Sequence, residues 1–146
     1  MKLFHLSSGP LKVNSYFLVN NNNEAVLIDG GENYKLIKKT EKELGVKIIA
    51  LLLTHAHFDH SGNAKKLQDD GVKVYISELD APKLLNKMNL SIAFGRPFDY
   101  LTADKTFKDN DELVFGDIKI KVVATPGHTD GSVTFIVDNN MFTGDT

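Results

Sequence analysis

The sequence predicts an α/β fold built in layers, and three observations carry that prediction. Residues 48–53, Ile-Ile-Ala-Leu-Leu-Leu, form a short run with no polar side chain, as a strand buried on both faces requires. Helix-periodic stretches precede and follow that run, giving the strand–helix–strand alternation of layered α/β proteins. His, Asp and Gly then cluster where apolar runs end, so the polar chemistry sits on loops at strand termini.

In chain order, residues 14–19 and 25–28 read as the strands of a hairpin, joined by the turn-forming segment Asn20-Asn21-Asn22-Asn23-Glu24. Residues 34–44 place Leu36, Ile37, Thr40 and Leu44 on one helical face, and Gly45 supplies the stop. Residues 62–70 read as a second helix closed by Gly71, followed by a strand at 72–76. Residues 77–88 are expected to be helical, with Ser77 as N-cap, Glu78 and Asp80 in the first turn, and Leu79, Leu84, Leu85 and Met88 as the apolar face. Pro82 fits such a helix only near its start.

Residues 89–104 show no periodicity. Phe94, Phe98 and Tyr100 there either cover a cleft or pack on the core, and core packing is the simpler reading. Arg96, the chain's only arginine, is expected in a surface ion pair rather than on a substrate carboxylate. Residues 111–115 and 118–123 flank Gly116-Asp117 as a hairpin, and 133–137 and 141–142 surround the turn Asp138-Asn139-Asn140. His5, on an N-terminal strand, reads as a structural or surface residue.

A length of 146 residues suits one domain, residues 1–146, with a real core. Seventeen basic against nineteen acidic residues leave a net charge of −2, which offers no field to draw nucleic acid or an anionic membrane, so neither is an expected partner. With no cysteine there are no disulfides and no thiolate ligands, and His, Asp and Glu remain as anchors for a metal. Residues 1–6 lack the apolar stretch of a signal peptide and no segment reaches the length of a membrane span, so a cytoplasmic location is expected.

The chemistry concentrates in Thr54-His55-Ala56-His57-Phe58-Asp59-His60-Ser61-Gly62, directly after the buried strand. Three imidazoles and a carboxylate within six residues are the ligand set that suits zinc and other borderline divalent metals. Any one of these histidines is unremarkable on a surface turn; all four residues together behind a core strand form a metal-site pattern. His55 and His57, two apart, face the same side if strand geometry persists, with Asp59 and His60 on the turn beyond. The strand at 118–123 delivers Thr125-Pro126-Gly127-His128, where Pro126 restricts the backbone and Gly127 permits a tight turn. Asp29, before Gly30-Gly31, and Asp145, within Phe142-Thr143-Gly144-Asp145-Thr146, also end strands. For Asp29 taken alone, closure of a turn is the simpler reading.

The His-x-His-x-Asp-His stretch at 55–60, together with Thr125-Pro126-Gly127-His128-Thr129-Asp130-Gly131-Ser132 and the Asp145 segment, resembles the metallo-β-lactamase-fold hydrolases. The wording is most similar to the glyoxalase II-like branch, the hydrolases of acylglutathione thioesters. The resemblance implies an αββα sandwich with its C-terminal portion missing, residues 1–146 forming the N-terminal two-thirds. It implies a dinuclear zinc site, with iron or manganese as substitutes: His55, His57 and His128 on one metal, and Asp59, His60 and a bridging Asp145 on the other. Asp29 would support the site without touching metal. Hydroxide generated at the metals would attack the carbonyl of a small-molecule thioester, the cations would stabilise the tetrahedral charge, and Asp59 would orient the nucleophile or take its proton.

The family places a further histidine ligand of the second metal beyond the bridging aspartate, and this chain stops at Thr146. The second metal is therefore expected to bind weakly and turnover to be poor. Two other readings stay open: a persulfide dioxygenase-like oxidoreductase holding one iron through two histidines and the bridging aspartate, and a metal-binding domain with little activity.

Overall fold

The computed structural model describes residues 1–146, and its organisation follows from strand β4 (Lys47–Leu52), which is apolar on both faces because both faces are covered. Leu51 and Leu53 belong to one buried cluster with Phe17, Leu27, Val74 and Ile76. Ala50 and Leu52 belong to another with Leu18, Val26, Ile28 and Phe135. Alternation along a strand sends successive side chains to opposite sides, so two cores on one strand mean a sheet in the middle of three layers.

That central sheet holds β1 (Lys2–Ser8), β2 (Val13–Val19), β3 (Glu24–Ile28), β4, β5 (Lys73–Ser77) and β6 (Lys105–Phe107), in that spatial order. The first three strands pair antiparallel and β3 to β6 pair parallel. A register shift at Ala25/Val26 sets Val26 opposite Ala50, skipping Ile49. The second sheet is an antiparallel meander of β7 (Glu112–Phe115), β8 (Ile118–Ala124), β9 (Val133–Val137) and β10 (Asn140–Phe142). Its inner face, Ile118, Ile120, Val122, Phe135 and Val137, packs on the central sheet; Glu112, Val114, Lys119 and Lys121 are exposed.

Helix α1 (Tyr34–Leu44) is capped by the Asn33 side chain, which accepts the Leu36 N–H at 3.0 Å, and closes at Gly45 in the left-handed region. Its Ile37, with Ala64 and Leu67 of α3 (Ala64–Asp69), covers the central sheet on the side away from the meander. Residues 1–146 thus hold the helix–sheet–sheet part of the αββα sandwich. No helix is long and apolar enough to cross a membrane.

The expected helix at 62–70 divides in two: α2 (Phe58–Ser61) begins inside the histidine cluster, and Gly62-Asn63 separates it from α3. The expected helix at 77–88 does not form. Ser77 is the buried last residue of β5, and two short 3-10 helices follow at Ala81–Leu85 and Lys87–Asn89. Two causes act: Pro82 cannot donate a backbone bond, and the Asn86 side chain takes the Met88 N–H at 2.8 Å, starting a new turn. Of the four proposed face residues only Leu84 is buried. In the segment beyond, Phe98, Leu101 and Ala103 pack on the helix-side core, whereas Phe94 is exposed and lies against the Phe58 ring at 5.1 Å. Arg96 pairs with Glu32 at 3.1 Å, and His5 bonds Asn14 and stacks on Tyr16.

Candidate metal centre

Parallel pairing brings the C-terminal ends of β3 and β4 side by side, Ile28 opposite Leu52. Asp29 and the segment from Thr54 therefore leave the sheet together, tied by the Asp29 N–H to the Leu52 carbonyl at 3.0 Å. The loop after β8 carries His128, and the Val133 N–H donates to the Thr54 carbonyl at 3.0 Å, fastening the second sheet to the first at this edge. Asp145 lies in the turn after β10 that the Thr146 N–H closes on the Thr143 carbonyl at 3.1 Å. All six side chains singled out as ligands meet there.

The distances are compatible with a bound metal ion. Four ligands placed tetrahedrally at about 2.0–2.1 Å from zinc stand about 3.3–3.4 Å from one another. Here His57 Nδ1 and His128 Nε2 are 2.9 Å apart. Asp145 Oδ2 lies 3.1 Å from His128 Nε2 and 3.6 Å from His55 Nε2, while Asp145 Oδ1 lies 3.2 Å from His60 Nε2. His60 Nε2 is 3.6 Å from Asp59 Oδ2. The donor atoms of His55, His57 and His128 all fall within 4.8 Å of one another, and so do those of His55, Asp59 and His60. The two oxygens of Asp145 thus face different groups of imidazoles.

One observation speaks directly for a cation: His55 Nε2 is fully buried and has no hydrogen-bond partner. A buried polar atom without a partner is costly, and a lone pair aimed at neighbouring donors of the same kind is satisfied by a metal ion. Its tautomer follows from the network behind it. Thr54 Oγ1 lies 2.7 Å from Asp29 Oδ2 and 3.0 Å from His55 Nδ1. The hydroxyl proton goes to the carboxylate, so His55 donates Nδ1–H to Thr54 and presents Nε2 as a lone pair. Asp29 Oδ2 also accepts from His60 Nδ1 at 2.8 Å, and its Oδ1 accepts the Thr54 N–H at 2.8 Å. One buried carboxylate orients imidazoles on both sides of Asp145.

The electrostatics agree. Burial, with the positive His60 alongside, holds the His55 imidazole down at about 4. Burial and His128 lower His57 as well. Burial opposes charge on His60 too, but there Asp29, Asp145 and Asp59 prevail and push it up to about 10. The bond from His60 holds the Asp145 carboxyl at about 2. Three carboxylates converging on this point call for positive charge, which a proton on His60 supplies in the metal-free protein.

Two clefts open on the cluster. One, about 320 Å³, runs past Asp59, His60 and Asp145 between Lys12, Asn14, Tyr16 and Met141. The other, about 330 Å³, lies at His57 and His128 and is walled by Lys83, Met88 and Leu90.

The profile of the metallo-beta-lactamase superfamily matches residues 8–146. The chain belongs to that superfamily. It is 31% identical over 140 residues to a probable metallo-hydrolase of Bacillus subtilis, covering 94% of this chain and 66% of that one. It is 35% identical over 129 residues to the hydroxyacylglutathione hydrolase GloC of Haemophilus influenzae, covering 84% of this chain and 60% of that one. Among solved structures, the BLEG-1 B3 metallo-beta-lactamase superposes with a TM-score of 0.86 at 31% identity, over 93% of this chain and 67% of that one. ETHE1 from Myxococcus xanthus, at 24% identity and a TM-score of 0.80, shares the fold. The chain spans 60–66% of the length of these two curated relatives.

Two residues of this superfamily domain escaped the sequence reading. Thr54 stands in the motif, yet nothing local marks its hydroxyl as the link from Asp29 to His55. Asp80 reads as a first-turn acid of a helix that does not form; no sequence signal reveals its partners.

Proposed function

We propose that this chain carries the dinuclear zinc site of a hydrolase acting on a small-molecule thioester such as an acylglutathione. The observation that carries the reading is the split of Asp145, with Oδ2 toward His55 and His128 and Oδ1 toward His60. A carboxylate so placed suits two cations rather than one. His55, His57 and His128 would hold the first, and Asp59, His60 and Asp145 the second. Bound there, divalent cations supply a water acidified to a pKa of about 7 and polarise the acyl oxygen.

The remaining work falls to the protein. Asp29 and Thr54 hold His55 and His60 with Nε2 toward the centre. Asp59, beside His60, would orient the attacking water or take its proton. The cleft at His57 and His128 offers Met88 and Leu90 to an acyl chain. The similarity to a hydroxyacylglutathione hydrolase supports the thioester.

The test is a zinc titration by calorimetry with a thioester-cleavage assay, on this chain and on a lengthened one. One tight and one weaker zinc equivalent, with cleavage that increases on lengthening, is the expected result. Uptake of a single iron with oxygen consumption on a persulfide would overturn it in favour of the oxidoreductase reading.

A further inference from the structure

Asp80 is fully buried and lies outside the candidate ligand set, yet its carboxylate reaches both loops that carry the first-metal histidines. Its Oδ2 accepts the N–H of Ala56, the residue between His55 and His57, at 2.8 Å. The same oxygen accepts the Thr129 hydroxyl, next to His128, at 3.0 Å. Its Oδ1 accepts the Gly131 N–H at 3.1 Å and the Lys83 ammonium at 2.7 Å. We infer that Asp80 is a positioning residue, a clamp that sets the distance between the His55/His57 loop and the His128 loop and so the geometry of the first metal.

Four donors converge on two oxygens, and only an ionised carboxylate accepts at every one of these places. Lys83 supplies the countercharge that permits the ion to be buried. The direction of the hydroxyl bonds follows: Thr129 donates to Asp80, and Ser132, 2.8 Å away, donates to Thr129. The fit is close enough to dictate a neighbour. A Cβ on residue 131 would stand 2.4 Å from Asp80 Oδ1 and 2.5 Å from Ser77 Oγ, so this place takes glycine. Asp29 and Asp80 divide the work: Asp29 orients rings through their Nδ1 atoms, and Asp80 fixes the backbones from which His57 and His128 project. His128 has most need of this, since its loop is largely exposed.

The inference rests on the metal reading proposed above, and the experiment separates the two. Asp80→Asn sets an amide NH2 against donors whichever way it is turned, and Thr129→Val removes one arm at nearly constant volume. Phe135→Leu, in the core between the sheets, serves as a variant destabilised without touching the clamp. Cobalt is titrated into each protein, and the visible d–d bands and the affinity against a chromophoric chelator are read. Expected are an altered band and an affinity about 10–100-fold weaker for Asp80→Asn, a smaller change of the same kind for Thr129→Val, and the parent spectrum for Phe135→Leu. In the metal-free protein, amide exchange at Ala56 and Gly131 accelerates in Asp80→Asn. A folded Asp80→Asn with the parent's band and affinity overturns the clamp alone. If Asp80→Asn does not fold, an unaltered Thr129→Val overturns it. A parent chain that takes up no cobalt overturns the metal reading, and the clamp with it.

Discussion

Asp29→Asn is the sharpest probe of how the imidazoles are oriented. Asp29 sits at φ +53°, a left-handed conformation that asparagine tolerates as well as aspartate, so the backbone is preserved and only the donor–acceptor pattern changes. In the parent, Oδ1 takes the Thr54 N–H while Oδ2 takes both the Thr54 hydroxyl and His60 Nδ1. An asparagine that keeps its oxygen on the Thr54 N–H turns its NH2 toward His60 Nδ1. His60 must then accept there and carry its proton on Nε2, the nitrogen that faces Asp145 and Asp59. The opposite orientation sets NH2 against the Thr54 N–H. Loss of such an outer partner costs about 10–100-fold in metal affinity, or about 1.4–2.8 kcal/mol. Chelator competition with zinc measures that loss, and 15N NMR of the ring nitrogens reads the proton on His60. Parental zinc affinity in a variant with a normal fold would refute the orientation argument.

Two further outcomes follow from the same network and from the sheet. Gly144 lies at φ +59°, and a Cβ there would stand 2.5 Å from Thr54 Oγ1 and 2.8 Å from Thr54 Cβ. Gly144→Ala is expected to lower the unfolding free energy by about 2–4 kcal/mol, combining left-handed strain with overpacking, and a urea titration showing less than about 1 kcal/mol would count against this geometry. Asp104 accepts from the Val74 N–H at 2.8 Å and from Gln68 at 3.0 Å; burial pushes its carboxyl up, but these bonds and Lys73 hold it below the usual range. A depressed folded pKa contributes stability above the unfolded value of about 3.9 and loses it as pH falls through the folded value. Asp104→Asn should therefore flatten the acid limb of stability against pH, read as urea midpoints between pH 5 and pH 2.

Much of the fold was legible because it rests on short-range chemistry. The apolar run at 48–53, the helical face at 34–44 with its glycine stop, and the hairpin around Gly116-Asp117 each state their structure within a dozen residues. The failure at 77–88 has the same root. Its apolar spacing fits a helix, but Pro82 interrupts the backbone bonds, and Asp80 is drawn to Ala56, Thr129 and Gly131 instead of a helical first turn. The three-residue β6 carries too little alternation to stand out and exists through pairing with β5.

Residue chemistry and spacing marked His55, His57, Asp59 and His60, the family resemblance added His128 and Asp145, and the strand pattern set all six at strand ends. Their meeting is a property of the packed sheets: parallel pairing aligns Asp29 with Thr54, and the Val133–Thr54 bond brings the His128 loop across from the second sheet. The ways in which Asp145 divides its two oxygens, Thr54 reaches Asp29 and Asp80 joins two loops depend on atoms separated by 17 to 90 residues of chain. Local sequence prescribes conformation through torsions and periodicity. It holds no measure of distance between remote segments, which burial of the two cores alone establishes.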